Sequence, residues 1–148
     1  MTTYCDLSQN IEELLGTDYG AGNKKNEQRD LRAAVLKGFP FSSFETVQKE
    51  IDLPQQQLSE ILGIPTRTIA RRKEDRHLSP VESDRLYRVA RIIAFTVEVL
   101  GDIDKARVWL KSPNRGLGDI VPLTLLDTDI GVCQVEDVLK RIKYGIYG

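Results

Sequence analysis

The sequence predicts an all-α fold, and three observations carry that reading. Apolar residues recur at three- and four-residue spacing through most of the chain, as the buried face of an amphipathic helix requires. No segment sustains the alternation of a half-buried strand. Helix start signals (serine, aspartate, proline) and stop signals (glycine) recur at helical distances from one another. The 148 residues suit one unit, or two small lobes sharing a core. The apolar fraction of 41% lies near the lower edge for a globular chain, so Leu, Ile and Val must build most of that core.

The elements follow in order. Residues 1–38 read as a partly ordered arm. Within it Ile11–Leu15 forms at most one helical turn, residues 16–23 a loop, and Glu27–Lys37 a helix with Leu31, Ala34 and Val35 on its apolar face. Ser42 with Glu45 three residues on has the form of a capping box, opening a helix through Phe44, Val47 and Ile51. Pro54 suits a first helical position, and the helix carrying Leu58, Ile61 and Leu62 ends at Gly63. A third helix runs from Pro65 or Thr66 to about Asp75. Ser79-Pro80-Val81-Glu82 is the strongest start signal in the chain, combining N-cap serine, N1 proline and N3 glutamate. The helix it opens runs to Leu100 with Leu86, Val89, Ala90, Ile93 and Val97 at helical spacing, and Gly101 closes it. Asp102 caps a short helix that stops before Pro113. Residues 114–118 form a turn, Pro122–Leu126 one or two helical turns, and Gly131–Lys143 a last helix along Val132, Val135, Val138, Leu139 and Ile142.

Composition narrows function by exclusion. No apolar run approaches the roughly 18 residues needed to cross a bilayer, so no membrane association is expected. The polar N-terminus argues against a secretory signal, and Cys5 and Cys133 fit no metal-ligand spacing. A cytoplasmic protein with reduced thiols is the resulting expectation. His77 is the only histidine, so no polyhistidine metal site can be assembled within one chain, and it reads as a loop residue rather than a catalyst. The aspartates at 102, 104, 127 and 129 fall at helix starts and turns, and Gly116 and Gly118 lack the Lys and Ser/Thr of a phosphate loop. No metal, cofactor or enzymatic activity is expected.

Charge is distributed unevenly. The net charge is −1, yet residues 64–91 hold eight basic and four acidic side chains, whereas residues 1–63 hold six and ten. A local cationic patch is the electrostatic footprint of a DNA reader. The patch coincides with Gln57–Lys73, which has the form of a helix-turn-helix. Gly63 permits the positive φ of a tight turn, and Ile64 and Ile69 plug the space between the two helices. Thr66, Arg67, Thr68, Arg71, Arg72 and Lys73 are then left to the outer face, where arginine forks match guanine O6 and N7 and the other cations hold phosphates. Four cations alone would fit a solvated helix face; the turn glycine and the two plugging isoleucines favour DNA binding.

From Phe39 onward the chain resembles the Xre/ParS/MbcA family of antitoxins, the partners of RES-domain toxins. The residues carrying the resemblance are Leu62-Gly-Ile-Pro-Thr-Arg-Thr-Ile-Ala-Arg-Arg-Lys73, Leu78-Ser-Pro and Glu82–Arg91. Further on come Gly101-Asp102, Ala106, Trp109-Leu110, Pro113-Asn114, Leu117-Gly118, Pro122-Leu123, Leu125-Leu126, Thr128 and Gly131, and the chain finishes with Val135, Leu139, Arg141-Ile142 and Tyr144-Gly-Ile-Tyr147. The resemblance implies a helix-turn-helix DNA-binding domain over 39–95 and a toxin-binding domain with a C-terminal tail over 96–148. It also implies a homodimer that represses its own operon at operator DNA, and a cognate RES-domain toxin that degrades NAD or transfers its ADP-ribose. Arg141, Tyr144, Gly145, Ile146, Tyr147 and Gly148 correspond to the stretch that blocks the toxin's NAD pocket.

Physical chemistry is consistent with such a tail. Burying Tyr144, Ile146 and Tyr147 would stabilise by about 2–3 kcal/mol each. Fixing five backbone units costs about 1–2 kcal/mol apiece, so the tail is expected to order only against a preformed cavity. The Gly148 carboxylate is expected to pair with a toxin cation that otherwise holds a nucleotide phosphate. Trp109 reads as core, with a partner-facing edge if Pro113 leaves it half exposed. The competing reading is a free-standing transcription regulator whose C-terminal domain dimerises or binds a ligand.

Overall fold

The longest helix organises the molecule, and its start is set locally. Ser79 Oγ accepts from the Glu82 backbone N–H at 3.2 Å, while a Glu82 carboxylate oxygen accepts from the Ser79 N–H at 2.8 Å, with Pro80 at the first helical position. The computed structural model describes residues 24–145, with side chains from residue 31 onward. Its helices are α1 (Lys24–Lys37), α2 (Phe41–Ile51), α3 (Gln55–Leu62), α4 (Thr66–Asp75), α5 (Pro80–Leu100), α6 (Ile103–Lys111) and α7 (Asp129–Tyr144), with 3-10 turns at Arg115–Leu117 and Pro122–Asp127. Among the described residues the only extended pairings are two isolated bridges, Pro40 with His77 and Asn114 with Ile120. The fold is all-α, as the periodicity predicts. The helical turn expected at Ile11–Leu15 and the loop after it lie outside the described residues. No helix of the described residues is long and apolar enough to cross a membrane.

Helix starts divide into two kinds. α5, α6 and α7 open on side-chain caps: Ser79, Asp102 (accepting from Lys105 N–H at 2.7 Å) and Thr128 (from Gly131 N–H at 3.0 Å). α2, α3 and α4 open instead behind Pro40, Pro54 and Pro65, all extended and without side-chain caps. Two expectations are corrected here. The Ser42–Glu45 capping box does not form, because Phe41 already begins α2. Phe41 is buried and stacked on Phe44 with centroids 5.3 Å apart, which draws the start forward and leaves Ser42 exposed within the first turn. Pro54 flanks α3 rather than entering it. The ring fixes φ near −60° in both states, so local sequence does not decide on which side of the boundary proline falls.

One hydrophobic cluster joins the two halves of the chain, drawing Phe39, Phe44 and Ile69 from the first and Leu110, Leu123, Val135 and Leu139 from the second. α1 lies along α5 and packs Leu31, Ala34 and Val35 against this core. α5 also pairs with α7 through Arg88–Asp129 (3.6 Å), Arg91–Glu136 (3.5 Å) and Glu98–Lys143 (3.4 Å). Both numbers in each pair rise together, so the two helices run in the same direction. The seam expected near residue 95 therefore falls inside a continuous helix.

Candidate nucleic-acid and toxin interfaces

α3 and α4 form the helix-turn-helix. Gly63 ends α3 at φ 65° and its N–H bonds the Glu60 carbonyl, while the Ile64 N–H bonds Ser59 O at 2.9 Å, the double closure of a left-handed helix stop. Ile64 and Ile69 are buried and fill the space between the helices. An element the sequence reading missed completes the turn: Arg85 on α5 donates from Nη1 to Leu62 O at 3.1 Å, satisfying a carbonyl that the end of α3 leaves unpaired. Its only sequence signal is its position three residues after Glu82, one turn along the same face.

The recognition residues do not share one environment. Arg67 and Arg71, four apart and so on one face, are exposed, as are Thr66 and Lys73; Thr68 is half-buried. Among the described residues none of Arg67, Arg71 and Lys73 makes an ion pair. Arg72 departs from the outward position expected of it. Its guanidinium turns back to α5, with Nε 2.8 Å from one Glu82 carboxylate oxygen and Nη2 3.3 Å from the other, and Nη1 3.6 Å from Asp75. Two-point pairing of this kind fixes a guanidinium in plane as well as in distance. Burial disfavours the charged form of Glu82, but the hydrogen bonds from Arg72 and Ser79 outweigh it and hold its pKa below the ordinary 4.5. The hydrogen bond to Glu82 pushes the Arg72 pKa up in turn. One carboxylate thus caps α5 and anchors the last turns of α4. Capping is legible locally, whereas a pairing ten residues away depends on how α4 lies on α5.

The C-terminal residues gather at the other end of α5. Arg141 is exposed and lines a hollow of about 250 Å3 with Leu117, Ile120, Asp137 and Val138. Tyr144 is half exposed and is the last residue of α7, one residue beyond the expected helix end, and Gly145 stops the helix at φ 65°. Lys143 holds this end in place, 3.4 Å from Glu98 and over the rings of Phe95 and Tyr144. The expected contacts of Ile146, Tyr147 and Gly148 lie outside the described residues. Gly131, at the start of α7, is a steric requirement, since a Cβ there would stand 1.8 Å from the Leu125 carbonyl oxygen.

Comparison with known families agrees with this layout. Residues 30–91 match the Antitoxin Xre-like helix-turn-helix domain, and residues 96–145 match the Antitoxin Xre/MbcA/ParS C-terminal toxin-binding domain. A helix-turn-helix domain followed by a toxin-binding domain is the layout of an Xre-type antitoxin, and neither domain is enzymatic. The chain is 30% identical over 116 residues to Antitoxin Xre of Yersinia enterocolitica, covering 77% of this chain and 78% of that one. It is 33% identical over 118 residues to Antitoxin Xre of Photorhabdus laumondii (78% and 80%), and 25% identical over 128 residues to the Prs ADP-ribosylating antitoxin of a Sphingobium species (80% of each chain). This chain belongs to the Xre family of antitoxins.

Proposed function

We propose that this antitoxin neutralises a RES-domain toxin that consumes NAD or transfers its ADP-ribose, and that it represses its own operon as a homodimer in the cytoplasm. Operator contact is made by Arg67, Arg71 and Lys73, with Thr66 and Thr68 beside them, while Arg72 holds the recognition helix in position. Toxin contact runs from Arg141 and Tyr144 into the stretch from Gly145 to Gly148, which enters the toxin's active site. The observation that carries the reading is the selective pairing on α4: Glu82 engages Arg72, and Arg67 and Arg71 stay exposed on one face. The toxin-binding domain over 96–145 favours a protein partner over the free-standing regulator, and the Sphingobium relative's name supports NAD-derived chemistry on the partner's side.

Co-expression tests it. The cognate RES-domain toxin should arrest growth alone, and this chain should relieve the arrest. Relief should fail when residues 144–148 are deleted and persist in Arg67→Ala/Arg71→Ala. Arrest that the intact chain does not relieve would contradict the proposal. With three cations on phosphates per chain and two chains on the operator, affinity should fall roughly two-thousandfold between about 50 and 200 mM salt.

A further inference from the structure

α6 has two faces with different fates. Inward, Ala106 and Leu110 are buried, Arg107 Nε donates to Glu50 O and Lys111 Nζ to Asp52 O, both at 2.6 Å, so the helix is clasped to the end of α2. Outward, Val108 is 68% exposed and Trp109, the single tryptophan of the chain, is half-buried. With Leu100 and Pro113 these two side chains line an almost wholly apolar hollow of about 570 Å3, with Lys105 among its lining residues. Trp109 packs one side against the core and leaves the other on the hollow, whereas Val108 takes no part in the clasp or the core, so the fold does not require an exposed valine there.

We infer that this hollow is a second anchor for the toxin, separate from the C-terminal stretch. It takes an apolar side chain of the toxin between Val108 and Trp109, with a toxin carboxylate on Lys105. The inference rests on the antitoxin reading above. Three observations select the toxin as occupant. The hollow is built from residues 100–114, inside the segment that matches the toxin-binding domain. It lies at the same end of α5 as the close of α7, because Glu98 holds Lys143 at 3.4 Å and Leu100 is two residues further on. Finally, Asp104 is engaged by Arg107 at 3.0 Å, whereas Lys105 is exposed and makes no ion pair among the described residues. The unanswered charge at the rim is positive and calls for an acidic partner group.

The single tryptophan makes the test direct. Full-length protein labelled with 5-fluorotryptophan is titrated with the unlabelled, catalytically silenced cognate RES-domain toxin, following the fluorine resonance and its shift between H2O and D2O. One equivalent of toxin should move the resonance and suppress the solvent shift. Val108→Glu should weaken toxin binding by about tenfold or more, as loss of a central apolar anchor does, and Lys105→Glu by a smaller factor. Both variants should melt at the wild-type temperature and keep operator affinity. Toxin that binds and is neutralised with the resonance unmoved and Val108→Glu unimpaired would overturn the anchor and leave the antitoxin reading intact. A resonance that responds to protein concentration without toxin would assign the hollow to a second copy and overturn it equally. Toxin that does not bind at all would sink both.

Discussion

The two ends of α5 present opposite chemistry. At its start, Glu82 and Arg85 are engaged internally, by Arg72 and the Leu62 carbonyl, and α4 leaves Arg67, Arg71 and Lys73 exposed without ion pairs among the described residues. At its finish, Glu98 engages Lys143, and the outward surface exposes apolar and aromatic groups, Val108, part of Trp109 and Tyr144, with the cations Lys105 and Arg141 beside them. From Glu82 to Glu98 is 16 residues, about 24 Å of helix. The same device, an α5 side chain pairing with a neighbouring helix, thus steadies two surfaces of different character, one for each of the two proposed partners.

Substitutions can break or sharpen this contrast. The largest effect is expected at Gly131, where Ala would bring a carbon to 1.8 Å from Leu125 O and force α7 off the 3-10 turn. Gly131→Ala should cost about 3 kcal/mol or more in urea unfolding and weaken toxin binding before DNA binding. Next, neighbours on α4 should part company. Arg72→Ala should destabilise by about 1.5–3 kcal/mol through its lost charged hydrogen bonds, while Arg71→Ala stays within about 0.5 kcal/mol of wild type and loses operator affinity instead.

The Arg72–Glu82 pair also fixes a pH dependence. Because the folded Glu82 pKa lies below 4.5, its contribution to stability is present above that value and is lost as pH falls below it toward the folded pKa. Glu82→Gln should lower stability at neutral pH and flatten the acid-side loss below about pH 4.5 in thermal melts. The smallest effect should come at the other end: Asp102→Ala removes the α6 cap and should cost about 1 kcal/mol.

How far the sequence could be read follows the range of each interaction. The Ser79–Glu82 box, the stop at Gly63, the Asp102 cap and the Pro80–Leu100 helix are local and were legible. The plugging roles of Ile64 and Ile69 were legible too, because the turn fixes their direction. The Ser42–Glu45 box was misread because burial of Phe41 outweighs a local cap. Arg72 was placed outward because helical periodicity gives a face and not a partner. Glu82 reaches it only once α4 lies against α5, and the same limit concealed Arg85 and the Arg107 and Lys111 clasp. In the second half of the chain, the toxin-binding role came from resemblance and then from the family match. The sequence reading puts Tyr144 in a tail, whereas it closes α7, and it makes the edge of Trp109 depend on an exposure that only the fold supplies.

The account centres on two separate binding surfaces on one shared core, and one paired measurement tests it most directly. Operator affinity and toxin affinity are measured on Arg67→Ala/Arg71→Ala and on a chain lacking residues 144–148. The account predicts that the first loses DNA and keeps toxin at wild-type affinity, and that the second does the reverse. If either variant loses both partners while melting like wild type, the separation of the two surfaces is contradicted.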